Sequence, residues 1–374
     1  MSKWDPWLGR QMGLGPDTTS FSTSTAAQRP YLPGLRVDLD DVDAGKYEHI
    51  FKYVASTPWA IQPQVLVVIT DLLTYRMAGH RLEAEELEER IGRSPEAAAV
   101  EAARRRSEPR RAGGGAVALM SLYGVIAPRA SMINSLSGPS GTGLDEFSQT
   151  LQAAVDDPEV GSVVIDVNSP GGSVDMVPET VARIRRAREQ KPIYAVANTD
   201  AASAAYWLAS QATELSVTPS GMVGSIGVYA AHQDVSAKLE MEGRKTTLIS
   251  AGKYKVEGNP FEELSAEARE SIQTMVSGYY DWFVDDVGRG RGVKASAVRS
   301  GFGEGRMVGA KAALAEGMVD RVETLEETIH RAMRGGGRAR PAQATSAEDV
   351  TVAGNTELPA AAEIPVDHLQ YLNL

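Results

Sequence analysis

The sequence predicts an α/β fold for its long central region, residues 115–334, and three observations support this. Short apolar runs that read as buried strands alternate there with longer amphipathic runs that read as helices. A stretch rich in Ala, Arg and Glu, "RSPEAAAVEAARRRSEPRRAGGG", closes in three glycines at residue 115 and marks where that region begins. From Gly335 the chain turns polar, Ala/Pro-rich and aperiodic, which marks where it ends.

Taken in order, residues 1–35 are rich in Ser, Thr, Gly and Pro without a period, and flexible chain is expected. Residues 36–92 carry a helical pattern through "YEHIFKYVAS", "TPWAIQPQVLVVITDLLTYRMAG" and "RLEAEELEERIG", with Gly79 and Gly92 as stops, so a small helical domain is expected. Residues 93–114 read as a linker. Within 115–334, "AVALMSLYGVIA" and "SVVIDVN" read as buried strands, with the amphipathic helix "LDEFSQTLQAAVDD" between them. "VPETVARIRRAREQ" is then a helix, "PIYAVAN" a strand, and a further helix begins near Ser203. "ELSVTP", "GSIGVYAA" and "KTTLISAG" read as strands, residues 265–290 as a long helix, and "KASAVRSG" and "AKAALAEGM" as short helices. The tail 335–374 reads as disordered, with a possible docking element at "VDHLQYLNL".

Composition narrows the function. The 374 residues are 43% hydrophobic and 23% charged, as in globular proteins, and carry a net charge of −11. That balance argues against nucleic acid as the main partner, and the clusters "RIRRAR" and "RRR" read as solvated faces. With no cysteine, thiolate catalysis, disulfides and cysteine-based zinc sites are excluded, in keeping with a reducing cytoplasm. Five scattered histidines form no metal-binding spacing, so neither metal nor cofactor is expected. No apolar run reaches the roughly 18–20 residues that cross a bilayer, and a soluble cytoplasmic chain is expected.

The chemistry centres on "TDAASAAYWLAS". Ser203 lies among alanines, either as one more small residue where backbones approach closely or as a nucleophile to which they give access. The strand running into "SPGG" supplies a candidate oxyanion site at Pro170, Gly171 and Gly172, because paired glycines allow a sharp turn with N–H groups near a ligand. A serine hydroxyl needs a neighbouring base. His232 in "YAAHQDVS" is one candidate; Lys253 and Lys255 in "AGKYK" are others. A lysine base must be uncharged at rest, which requires burial away from carboxylates. Composition alone does not choose between them.

The ordered motifs "NSPGGSV", "AASAAYW", "VGSIGV" and "AGKYK" resemble the signal peptide peptidase A family of serine proteases, over roughly residues 115–330. The resemblance implies a Clp protease/crotonase-like fold and a Ser–Lys dyad. On it, Ser203 matches the nucleophile, Lys255 the general base and Ser225 the hydroxyl orienting that lysine. Gly172 and the amide of Ala204 match the oxyanion donors, and His232 is the runner-up base. This chain has "ASAA" where many members have "ASGG", which bears on the width of the pocket. A substrate peptide is expected to bind extended, beside "GSIGVYAA" and the segment after "SPGG".

The segment before the protease region, with no anchor, resembles the soluble bacteriophage and prophage branch. That branch cuts scaffold and capsid proteins, and itself, inside immature heads. A homo-oligomer is expected, as is self-cleavage in the flanks 93–114 or 336–365. Alternatives are a housekeeping cytoplasmic peptidase of the same family, a silent assembly scaffold or an acyl-CoA-binding crotonase relative.

Overall fold

The computed structural model describes residues 54, 57–77, 110–112, 115–129 and 141–335. The expected flexible N-terminus, the tail beyond 335, its docking element, and most of the helical domain and linker lie outside the described residues.

In chain order the elements are β1 (Trp59–Ile61), α1 (Pro63–Met77), β2 (Arg110–Ala112), β3 (Gly115–Ala127) and β4 (Thr142–Gly143). Next come α2 (Leu144–Asp156), β5 (Val160–Ser173), α3 (Val177–Gln190), β6 (Ile193–Ala202) and α4 (Ala204–Ala209). They are followed by β7 (Glu214–Val217), β8 (Met222–Gly224), α5 (Ser236–Met241), α6 (Ala266–Arg291) and α7 (Ala295–Ser300). A 3-10 turn (Phe302–Gly305), β9 (Met307–Gly309), α8 (Ala310–Ala315), β10 (Arg321–Val322) and α9 (Leu325–Met333) complete the described chain.

The main sheet runs β10–β7–β6–β5–β3–β2, and every neighbour from β10 to β3 is parallel. Parallel strands need crossover connections, and α2, α3 and α4 supply them between β3, β5, β6 and β7. Each of the first two helices turns one apolar stripe to the sheet. In α2 it is Leu144, Phe147, Leu151 and Val155; in α3 it is Val177, Val181, Ile184 and Ala187. Successive strand residues point to opposite faces. Val163, Ile165 and Val167 of β5 therefore join the cluster under α2, α3 and α4, while Val164 joins Val117, Tyr194 and Ala332 beneath α9. Burying each such side chain is worth roughly 1.5–3 kcal/mol.

Four expectations are corrected. Residues 59–61 are a strand rather than part of a helix, because they pair with Gly171, Gly172 and Ser173 of β5 while Pro58 and Pro63 bar a helix from running through them. A residue preceding proline is driven to extended backbone, and Pro63 then opens α1. "SPGG" is no free turn: Ser169–Ser173 continue β5 and pair with Ala201, with β3 and with β1. "KTTLISAG" forms no strand. Residues 245–252 are exposed backbone without a ladder partner, and apolar alternation cannot create a strand where no neighbour pairs with it. Of "GSIGVYAA", Gly224 ends β8, and Tyr229 makes one isolated bridge to Trp59.

Candidate active site

Ser203 stands at the step between β6 and α4. Its backbone is left-handed, φ 54° and ψ −119°, a strained conformation for a non-glycine residue. Three contacts hold the step. The Ser203 amide donates to Gly224 O at 2.7 Å, its carbonyl accepts from Trp207 N at 2.9 Å, and its hydroxyl makes a long 3.5 Å contact with Gly227 O. Ser203 is only 1% exposed.

The helix behind it is fixed in the core, with all six residues of α4 buried. Trp207 stacks on Phe283 with ring centroids 4.5 Å apart and donates through Nε1 to Asp286 at 3.0 Å. Arg185 donates to the same carboxylate at 2.7 Å, and Gln211 Nε2 donates to the Asp286 carbonyl at 3.0 Å. The Tyr206 hydroxyl donates to Met318 O, and complete burial pushes its pKa well up. Ala204, first in the helix, has an amide with no intrahelical acceptor, as an oxyanion donor requires.

The glycines lie against this step. Gly171 has φ +97°, and a methyl built on it would fall 3.0 Å from Ser203 Cβ and 2.2 Å from Ala60 O. A methyl on Gly172 would fall 1.9 Å from Ile126 O. No side chain fits at either position. The Gly171 amide is taken by Ser169 Oγ at 3.1 Å, while Gly172 lies opposite Ala60. Pro170 sits in the ladder through its carbonyl, which accepts from Gln62 N at 3.0 Å.

Ser225 follows β8 with φ +54°, tied through its amide to Arg306 O at 2.9 Å. The bond from Ser203 N to Gly224 O thus brings the Ser225 neighbourhood to the nucleophile candidate. Lys255 is placed differently. It sits in the exposed turn 253–258, and among the described residues its side chain makes no hydrogen bond or ion pair. Lys253 is engaged at the surface with the Tyr254 hydroxyl and Glu267, and both hold its ammonium above the ordinary lysine range. The ring Nε2 of His232 meets Asn259 O at 3.0 Å and lines a cavity of about 570 Å³ with Leu264, Ile272 and Val276; Ser203 does not line that cavity. Among the described residues no cluster of His, Cys, Asp or Glu could hold a metal, and no helix is long and apolar enough to cross a membrane.

Sequence reading missed three residues here. Trp59 and Ala60 pack beside the site, and Asp286 anchors its helix. The bracketing prolines signalled a break in the helix for the first two but not their pairing with β5, and a single acid on a long helix offered no signal for the third.

Residues 185–337 match the family model described as peptidase family S49. The chain is 33% identical over 226 residues to the head-tail preconnector protein GP5 of Enterobacteria phage P21, covering 59% of this chain and 44% of that protein. It is 34% identical over 182 residues to the capsid assembly protease C of Escherichia phage lambda, covering 49% and 41%. A putative signal peptide peptidase SppA from Enterococcus faecium is 28% identical over 211 residues, covering 56% and 60%. The chain thus spans about half the length of these relatives. The matched segment contains Ser203, Ser225 and Lys255, and it begins within α3, the crossover that leads into the Ser203 step. Residues 185–337 are thus similar to peptidase family S49, and that stretch carries the ordered motifs around Ser203, Ser225 and Lys255.

Proposed function

We propose that the chain is a serine endopeptidase with Ser203 as nucleophile and Lys255 as general base. The strained, left-handed Ser203 at the head of a rigidly packed helix, with Gly171 pressed against it, carries this reading. The Ser203 hydroxyl attacks the peptide carbonyl while its proton passes to the uncharged Lys255 amine, oriented by Ser225. The tetrahedral oxyanion is met by the amides of Ala204 and Gly172, donors worth several kcal/mol when aimed in advance. The lysine then returns its proton to the departing amine, and water releases the acyl group.

An exposed Lys255 means that the dyad closes when residues 226–262 settle into a new environment. That segment exposes Met241, Ile249 and Tyr254, and we assign its cover to further copies of this chain in a homo-oligomer. Similarity to the head-tail preconnector protein and the capsid assembly protease of the two phages favours head assembly as the setting, with capsid and scaffold proteins as substrates and the host cytoplasm or the immature head as the place. On the same reading the chain divides at 35, 92, 114 and 334.

The test pairs wild type with Ser203→Ala and Lys255→Ala, mixed with scaffold candidates and read by mass spectrometry. Both variants should keep the fold and lose cleavage by about a thousandfold or more. Cleavage retained in Lys255→Ala moves the base role to His232, and cleavage retained in Ser203→Ala overturns the reading.

A further inference from the structure

Resting on that peptidase reading, we propose that residues 58–62 of this chain are the resident ligand of its peptide-binding groove and hold it closed until a substrate strand displaces them. The expected substrate position runs between the segment after "SPGG" and the stretch that follows β8. β1 lies there. On one wall it pairs antiparallel with β5, Trp59 opposite Ser173, Ala60 opposite Gly172 and Ile61 opposite Gly171. Flanking bonds run from Gln62 N to Pro170 O at 3.0 Å and from Val174 N to Pro58 O at 3.3 Å. Hydrogen-bonded pairs recur every second residue in such a ladder, so Ala60 and Gly172 face each other as a bonded pair. The amide assigned to the oxyanion is therefore occupied by this chain's own carbonyl. On the other wall Trp59 N donates to Tyr229 O at 2.8 Å, and Tyr229 N donates to Trp59 O at 3.0 Å.

Main-chain pairing on both sides is how a groove binds an added strand. It also accounts for a nucleophile candidate that is 1% exposed. The occupant describes the ligand class. Ala60, wholly buried against the main core, marks a subsite for a small residue, and Trp59 and Ile61 point to the opposite face, where bulky apolar residues are accepted. The occupant is also built to leave as a unit. Trp59 and Ile61 cluster with Val54 and with Leu66, Ile69 and Leu73 of α1, and meet the remaining body through Val125 and Tyr229.

Hydrogen exchange on the full-length wild-type protein tests this, with a peptide boronate bearing residues 57–61 (Thr-Pro-Trp-Ala-Ile) as the probe. The amides of Trp59 and Gln62 should lose protection once the boronate is bound to Ser203. If they stay protected while Ser203 is modified, β1 is a permanent strand and the proposal fails. Ala60→Pro removes the central N–H of the strand; a fluorophosphonate should label Ser203 in this variant about tenfold faster or more than in wild type, because the open fraction of sites rises. Equal rates overturn the proposal. Absence of labelling in both proteins, each shown to be folded by circular dichroism, sinks the nucleophile assignment instead.

Discussion

Gly171 and Ser203 meet so closely that one methyl on the glycine would lie 3.0 Å from the serine Cβ, with Ala60 O a further 2.2 Å neighbour of the same methyl. Three separate parts of the chain converge on a point where only hydrogen fits. Gly171→Ala should cost about 1–3 kcal/mol, from the positive φ and the overlap together. Urea unfolding measures the cost, and a loss of peptide cleavage beyond the loss of folded protein is expected, since the overlap falls on the proposed nucleophile.

The stability of the Ser203 step depends on Asp286, about which the "ASAAYW" motif says nothing. Asp286→Ala strands the Trp207 N–H and leaves the partly exposed Arg185 guanidinium only its bonds to Gln211 Oε1, and should cost roughly 1–3 kcal/mol. Asp286→Asn keeps an acceptor for Trp207 and should cost less. Thermal melting orders the variants, and kcat should fall more than KM rises, because the helix carrying the Ala204 amide loosens.

Tyr229 gives the groove an alkaline limit. Burial pushes its phenol from the ordinary 10 up to about 12, and among the described residues its hydroxyl has no hydrogen-bond partner. A pKa raised in the folded state stabilises the fold fully below the unfolded value, and that contribution is lost as pH rises towards the folded one. Between pH 10 and about 12, wild type should therefore lose stability faster than Tyr229→Phe. Denaturation midpoints across that range check it.

At the acid end Glu323 acts in the opposite sense. Burial alone would raise its carboxyl, but hydrogen bonds from Arg331, Ser216 and Thr328 outweigh burial and hold it below the ordinary range. Its contribution is present above the unfolded value of about 4.3 and lost as pH falls through the lower folded one. Glu323→Gln should flatten the fall in melting temperature below about pH 4.3, most visibly in probes on α9.

The sheet and its crossovers were legible because they are local. A buried parallel strand must be almost wholly apolar, and a crossover helix must carry one apolar stripe; both patterns survive in a single sequence. Ser203 and the glycines were legible as motifs because the step and the close approach restrict which residues can stand there. The strand at 59–61, the occupied "SPGG" edge and the Asp286 anchor were not, since each depends on partners distant in sequence.

By itself the sequence determined the α/β class, the helix and strand periods, and the small residues at 171, 172 and 203–205, because backbone sterics and burial act residue by residue. Tertiary structure alone decided that Ala60 faces Gly172, that Ser203 is covered, and that Lys255 stands in solvent. Pairing register and exposure are set by which distant segments come to lie side by side, and no short stretch of chain encodes that choice by its own pattern.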